Sequence, residues 1–519
     1  MAEKTFETLD EESQRYVKRV LSEFKRHGVN LPDKERERVI NLTHQIDKYA
    51  KEAQNNINED TSWIPVELSK LQDLHQEALD QLVSIPDREG WVQLPLSSSQ
   101  MTSALKVVED RAFRKFLQTA RDNQLVDKNV PLMEELTQKR HELALLLGYS
   151  SHSAMVLEEL MAKNITVVQK FEDDLRRKVL PIAKRDIRLV NEKYSKKANN
   201  TVRNMEEKEW DFSYYRNLYH LDGKQEKIDE KTTKQYFMME HVKNETMNIY
   251  QEFLGLKFRR IETANVWHED VSYYEVKDEE TEKILGHFYL DLHPRKRKYK
   301  HAAAFPLIPR GVIDGKVRTP TVAMVTNFPR STKSKPSLMS HANVVTFFHE
   351  FGHIMHSICS EASYSRFAGT NVESDFAEIP SIVLEHWIWD KEILKRVSKN
   401  WETGEPMPDS TIQALIEGQH QLQSTYTLHN IFEGSFDLLL YSAFDKTLLN
   451  SPVKLSNQTN SRGFQDLNTL RKSIKKKDGF KVDIQALWHQ LQKSIDQSHP
   501  LENTNPAATF GHVISGYDS

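Results

Sequence analysis

Apolar residues recur at spacings of three and four along most of the chain, a pattern that predicts a mainly helical protein. After a helix start at Leu31-Pro32-Asp33, one such stripe is Val39, Leu42, Ile46, Tyr49 and Ala53. Another runs from Leu132 through Leu143 and Leu147 to a stop at Gly148, with Ser151 or Ser153 as candidate caps for the next helix. Glycine and proline are sparse, 17 and 18 in 519 residues, so few interruptions are expected. Between about 260 and 330 the pattern changes. Residues 271–276, 284–292 and 321–328 are β-branched and aromatic with turn residues between them, which predicts a small sheet. No repeat of fixed period is visible.

Charge narrows the function classes. Lys plus Arg number 71 against 75 Asp plus Glu, a net charge of -4, so there is no global attraction to nucleic acid or to an anionic membrane. No apolar run approaches the roughly 20 residues needed to span a bilayer. The acidic first twelve residues lack both a secretory apolar core and the Arg-rich character of a mitochondrial presequence. The single cysteine, Cys359, has no partner for an intramolecular disulfide, and a reducing cytosol fits best. It reads as an inert small residue rather than a redox switch. The basic runs Arg295-Lys296-Arg297-Lys298 and Lys475-Lys476-Lys477 read as solvated loops.

The chemistry concentrates in Thr346-Phe347-Phe348-His349-Glu350-Phe351-Gly352-His353-Ile354-Met355-His356. On a helix, His349 and His353 lie one turn apart on one face and can converge on one ion, while Glu350 reaches the side where a metal-activated water would sit. Apolar Val344, Val345, Phe348, Phe351, Met355 and Ile358 surround them, as expected of a buried helix. The bland alternative is that His349 and Glu350 are satisfied polar groups of an ordinary core helix. His356 reads as a packed neighbour rather than a ligand. A catalytic zinc takes three protein ligands and leaves a fourth position open, so a third donor must come from elsewhere. Pro380 near a helix start puts Glu378 in or beside the first turn. Glu373, Asp375 and Glu385 compete with it, and Asp375 is also a candidate cap or an acceptor that orients a ligand histidine. A sheet edge just before this helix would pair with an extended peptide and leave its carbonyl beside the metal.

The block His349 to His356, with Phe367-Ala368-Gly369-Thr370-Asn371-Val372-Glu373, Asp375-Phe376-Ala377-Glu378-Ile379-Pro380-Ser381 and Glu385-His386-Trp387-Ile388-Trp389, strongly resembles the thimet oligopeptidase, neurolysin and saccharolysin group of zinc oligopeptidases. The resemblance extends to Asn58-Glu59-Asp60-Thr61, Phe288-Tyr289-Leu290-Asp291-Leu292 and Pro506-Ala507-Ala508-Thr509-Phe510-Gly511-His512, and so covers nearly the whole chain. It implies a mainly α, two-lobed helical metallopeptidase with a deep substrate channel and a small sheet near the zinc helix. It selects Glu378 as third ligand beside His349 and His353, for one zinc ion per chain, with Glu350 as general base in the hydrolysis of short peptides. His512 and Tyr517 match the first of the family's hydroxyl and imidazole substrate contacts; the tyrosines that follow in similar enzymes are absent, and further helices precede the region matching Leu31-Pro32. The resemblance thus implies a chain shortened at both ends, with a zinc- and peptide-binding chain of weak turnover as the alternative. The family's acidic position before the zinc helix is Asn343 here.

The expected organisation is a helical wall over 1–160 and a catalytic region over 161–519. The latter holds the sheet (about 260–330), the zinc helix (about 343–361), the third-ligand helix (about 376–390) and a surface insertion at 451–479. Short peptides are the expected partners of a cytoplasmic monomer, with neither nucleic acid nor membrane involved.

Overall fold

Long amphipathic stripes with few breaks do give helices. The structure, a computed structural model, describes residues 6–195, 209–221, 230–299, 301–419, 422–449, 465–478 and 480–515, and it is mainly helical with small sheets. The chain divides into two units, Met1–Ser22 with Gly223–His420, and Glu23–Asp222 with Gln421–Ser519. Among the described residues no helix is long and apolar enough to cross a membrane.

The first unit contains helix α1 (Glu11–Arg26, as far as Ser22) and helix α2 (Met239–Leu254). Five strands follow: β1 (Leu256–Arg260), β2 (Ser272–Asp278), β3 (Ile284–Asp291), β4 (Ala303–Ile308) and β5 (Thr321–Val325). They pair in the order β1-β2-β3-β5-β4, antiparallel except between β3 and β5. Alternation along the strands sends Tyr274, Val276, Phe288, Leu290, Val322 and Met324 into one core cluster with Phe347, Phe348, Phe351 and Met355 of helix α3 (His341–Ile358). Apolar contacts surround α3 on most sides, as its sequence demands. Ser340 and Asn343 close a capping box at its start, so Asn343 serves here to begin the helix. The buried Tyr250 hydroxyl of α2 donates to the Phe348 carbonyl at 2.9 Å. Helix α4 (Ile379–Glu385), with Pro380 in its first turn, packs against α3.

One basic run departs from the solvated loop expected of it. Lys298 is buried past the ends of the parallel strands, where its ammonium donates to the carbonyls of Asp291 at 2.9 Å, His293 at 2.6 Å and Thr326 at 2.5 Å. Arg295 grips both oxygens of the buried Asp291 carboxylate at 2.6 and 2.7 Å. Charge spacing alone does not reveal this, because the Thr326 carbonyl comes from just beyond β5, 28 positions from Lys298.

In the second unit, helices Asp33–Asn58, Val126–Leu146, Ile165–Ser195 and Gln423–Ser442 enclose a core containing Phe432, Phe436, Leu439 and Leu487. Ser151, not Ser153, caps the helix after Gly148, accepting from the Ala154 amide at 3.2 Å. Residues 451–464 and 479 of the expected 451–479 insertion lie outside the described residues. Between them, helix Leu467–Lys472 buries Leu467, Leu470 and Arg471. In the following basic run, Lys477 pairs with Glu134 at 2.5 Å, and the Lys476 ammonium lies 4.8 Å from the Phe444 ring centre.

Candidate metal centre

Four residues apart on α3, His349 and His353 present their rings to each other with centroids 4.9 Å apart. The carboxylate of Glu378 comes to them from the start of α4. Its Oε2 lies 3.2 Å from Nε2 of His349 and 3.1 Å from Nε2 of His353. Among the described residues this trio is the one group of three or more His, Cys, Asp or Glu whose donor atoms all lie within 4.8 Å of one another.

Two features hold Glu378 there. Gly352 lets the α4 backbone come so close that a Cβ at position 352 would stand 2.8 Å from Ser381 Cα. The Ser381 hydroxyl lies 3.0 Å from Oε2 of Glu378 and 2.8 Å from its carbonyl oxygen, donating to this residue from one turn away. A tetrahedral zinc with bonds of about 2.0 to 2.2 Å has donor-to-donor edges of roughly 3.3 to 3.6 Å. The observed separations, 3.2 and 3.1 Å, are slightly shorter than those edges, so two imidazole nitrogens and a carboxylate oxygen fit the ion in chemistry and need only a small outward shift to fit it in spacing.

Around the trio, Glu385 accepts from Nδ1 of His349 at 3.0 Å, which leaves Nε2 as the free lone pair toward the trio. This contact raises the His349 pKa, against the opposing effect of burial. Burial instead lowers the pKa of His353, whose Nδ1 has no hydrogen-bond partner among the described residues. Glu350 is buried, and burial raises its pKa; the His349 charge and the Ala304 amide oppose that shift while Glu378 adds to it. Its Oε2 also lacks a partner among the described residues. Ala304 belongs to β4, the outer strand of the sheet, where Phe305, Leu307 and Ile308 are exposed.

The competitors for the third position are elsewhere. Glu373 pairs with Arg15 at 2.7 Å, Asp375 lies in the short helix Ser374–Ala377, and Glu385 orients His349. The place of Glu385, seven residues after Glu378 and so on the same face two turns later, is the signal that would have revealed its part. His356 lies outside the trio with its ring 6.4 Å from Phe376. Cys359 caps the end of α3; it is exposed rather than fully packed, yet lost hydration pushes its thiol up to about 11, which keeps it protonated at neutral pH. His512 lies in the second unit, in helix Gly511–Ser515 with its ring 5.5 Å from Phe510, and Tyr517 lies outside the described residues.

The sequence pattern of peptidase family M3 matches residues 104–519. The chain is 29% identical over 520 residues to thimet-like oligopeptidase of Dictyostelium discoideum, covering 98% of this chain and 72% of that protein. It is 29% identical over 453 residues to saccharolysin of Saccharomyces cerevisiae, covering 85% and 63%. With oligopeptidase A of Escherichia coli the identity is 26% over 457 residues, covering 85% and 66%. Against saccharolysin and oligopeptidase A, the chain therefore spans less than two thirds of the relative's length.

Proposed function

The chain belongs to peptidase family M3, and from that premise we propose that it is a zinc-dependent endopeptidase acting on short peptides in the cytosol. His349, His353 and Glu378 hold the ion, Glu350 is the general base, and Glu385 orients His349. The observation that carries the reading is the approach of one carboxylate oxygen to both histidine Nε2 atoms, from a separate helix, at separations close to those around a tetrahedral ion.

A zinc ion in this trio supplies Lewis-acid chemistry, polarising a peptide carbonyl and acidifying water. The residues do the rest. Glu350 takes the proton of the attacking water through its unpartnered carboxylate oxygen, and the same oxygen returns a proton to the departing amine nitrogen. Burial raises the pKa of that carboxyl and so makes it a stronger base for the task. The open side of β4 offers backbone groups to an extended peptide, and the Ala304 amide beside Glu350 ties that strand to the base. Restriction to short peptides rests on the relatives, several of which are named oligopeptidases.

Metal analysis combined with cleavage of quenched fluorescent peptides tests this. We expect one zinc per chain and cleavage that disappears in Glu350→Gln while the zinc remains. Zinc and peptide binding without turnover would instead favour a binding role, and a chain without stoichiometric zinc would end the proposal.

A further inference from the structure

The two helices that carry the metal trio are joined by the segment running from Cys359 to Glu378, and helix α1 grips the part of it up to Glu373 from more than 340 residues away in sequence. The Glu12 carboxylate accepts the backbone amides of Ser363, at 2.8 Å, and Tyr364, at 2.9 Å. The Ser13 and Tyr364 hydroxyls are 2.9 Å apart. The Tyr16 ring stacks on Tyr364 with centroids 4.5 Å apart and planes 13° apart. Arg15 lies over the Phe367 ring and holds both oxygens of Glu373, at 2.7 and 3.0 Å. Glu373 is five residues before Glu378.

A second set of contacts reaches the same segment from the hairpin of strands Gly311–Ile313 and Lys316–Arg318. The Val312 amide donates to the Ser363 carbonyl at 2.8 Å, Arg310 donates to the carbonyls of Glu361 and Ala362, and Arg318 donates to Ser365 Oγ at 2.9 Å. The connection has little regular structure of its own beyond the single turns Ser365–Phe367 and Ser374–Ala377. Its shape is therefore set by what holds it, and its far end sets where α4 begins.

We propose that Glu12, Arg15 and Tyr16 are positioning residues for Glu378: they clamp the connection so that the third ligand stays against the two histidines, and metal retention depends on a helix that supplies no ligand. This rests on the zinc reading of the trio. The relevant physics is pre-organisation, since a ligand on a loosened connection must be ordered anew each time it closes on the ion.

The test uses the full chain loaded with zinc and follows zinc transfer to a chromophoric chelator. Groups that orient ligands typically change metal affinity by about 10- to 100-fold; for a clamp one step further out, Glu12→Gln, Arg15→Gln and Tyr16→Ala are each expected to speed release by about 3- to 10-fold. Tyr16→Phe, which keeps the ring, stays within about twofold of the wild type, as does Lys18→Gln on the same helix. The urea midpoint of the metal-free chain serves as the fold control and is expected to be little changed. Unchanged release in Glu12→Gln and Arg15→Gln overturns the clamp. So does faster release that Tyr16→Phe or Lys18→Gln shares, or that follows a fall in the metal-free midpoint. A wild-type chain that holds no zinc overturns the zinc reading itself, which separates the two failures.

Discussion

Replacing Gly352 by alanine puts two effects in opposition, and the structure decides between them. Within a helix, alanine is favoured over glycine by about 1 kcal/mol. At this position, however, the new Cβ stands 2.8 Å from Ser381 Cα and 3.4 Å from Ser381 Cβ. Carbon pairs prefer about 3.5 to 4.0 Å, so the α4 backbone must retreat by about 1 Å, and overpacking of this kind costs about 1 to 3 kcal/mol. Retreat matters more for the metal than for the fold, because Ser381 lies one turn from Glu378 and its hydroxyl is 3.0 Å from the carboxylate oxygen that faces both histidines. Metal ligand distances tolerate about 0.2 Å, a fraction of that displacement. We therefore expect Gly352→Ala to lower zinc affinity by at least about 10-fold, roughly 1.4 kcal/mol, in competition titrations with a chromophoric chelator. Gly418→Ala is the control: a Cβ there meets nothing within 4 Å, so it should leave zinc affinity unchanged and stabilise the chain by about 0.4 to 1 kcal/mol. Zinc affinity of Gly352→Ala within threefold of the wild type would refute the reasoning.

Other consequences are open to measurement. Glu385→Gln exchanges the acceptor at His349 Nδ1 for a weaker, neutral one; zinc affinity should fall by about 10- to 100-fold, and an unchanged titration would remove Glu385 from the centre. Burial raises Glu172 from 4.5 to about 8, so the folded state holds its proton more tightly than the unfolded state. The resulting stability is complete below pH 4.5 and is lost as the pH rises through about 8; its ceiling is about 5 kcal/mol. Urea unfolding between pH 6 and 9 should show this decline in the wild type and much less of it in Glu172→Gln, and equal slopes would exclude Glu172 as the cause. Arg114 and Asp211 form a pair at 2.7 Å with 1% and 4% of their side chains exposed. Asp211→Ala leaves the guanidinium buried without its counter-charge, so unfolding in urea should show a loss of about 3 to 5 kcal/mol, and a loss below 1 kcal/mol would contradict that account.

Local patterns made much of the fold legible. The stripe from Val39 to Ala53 falls within helix Asp33–Asn58, and the β-branched segments fall on β2, β3 and β5. Strand β4 escaped notice because Ala303 and Ala304 carry no strand preference and Pro306 argues against a central strand; it is an outer strand, where a missing amide is tolerated. Strand β1, rich in Lys and Arg, is the other outer strand and was hidden for a similar reason. In the candidate metal centre, the approach of the two histidines to each other was legible because both members share one helix face. Spacing left Glu373, Asp375, Glu378 and Glu385 in competition, since the choice depends on how α4 approaches α3 at Gly352, which is a tertiary fact. The grip of α1 on residues 363–373 had no local signature at all: its partners are about 350 positions apart.

The buried ammonium of Lys298 has one further consequence. It performs, at the junction of β3 and β5, the task that a bound cation performs elsewhere in proteins, drawing carbonyls from two strands toward one positive charge. Being covalently part of the polypeptide, it is immune to chelators and to metal starvation. On the proposed zinc reading, stripping the ion from the chain should silence hydrolysis while leaving the neighbouring sheet assembled, ready to resume work once the ion returns.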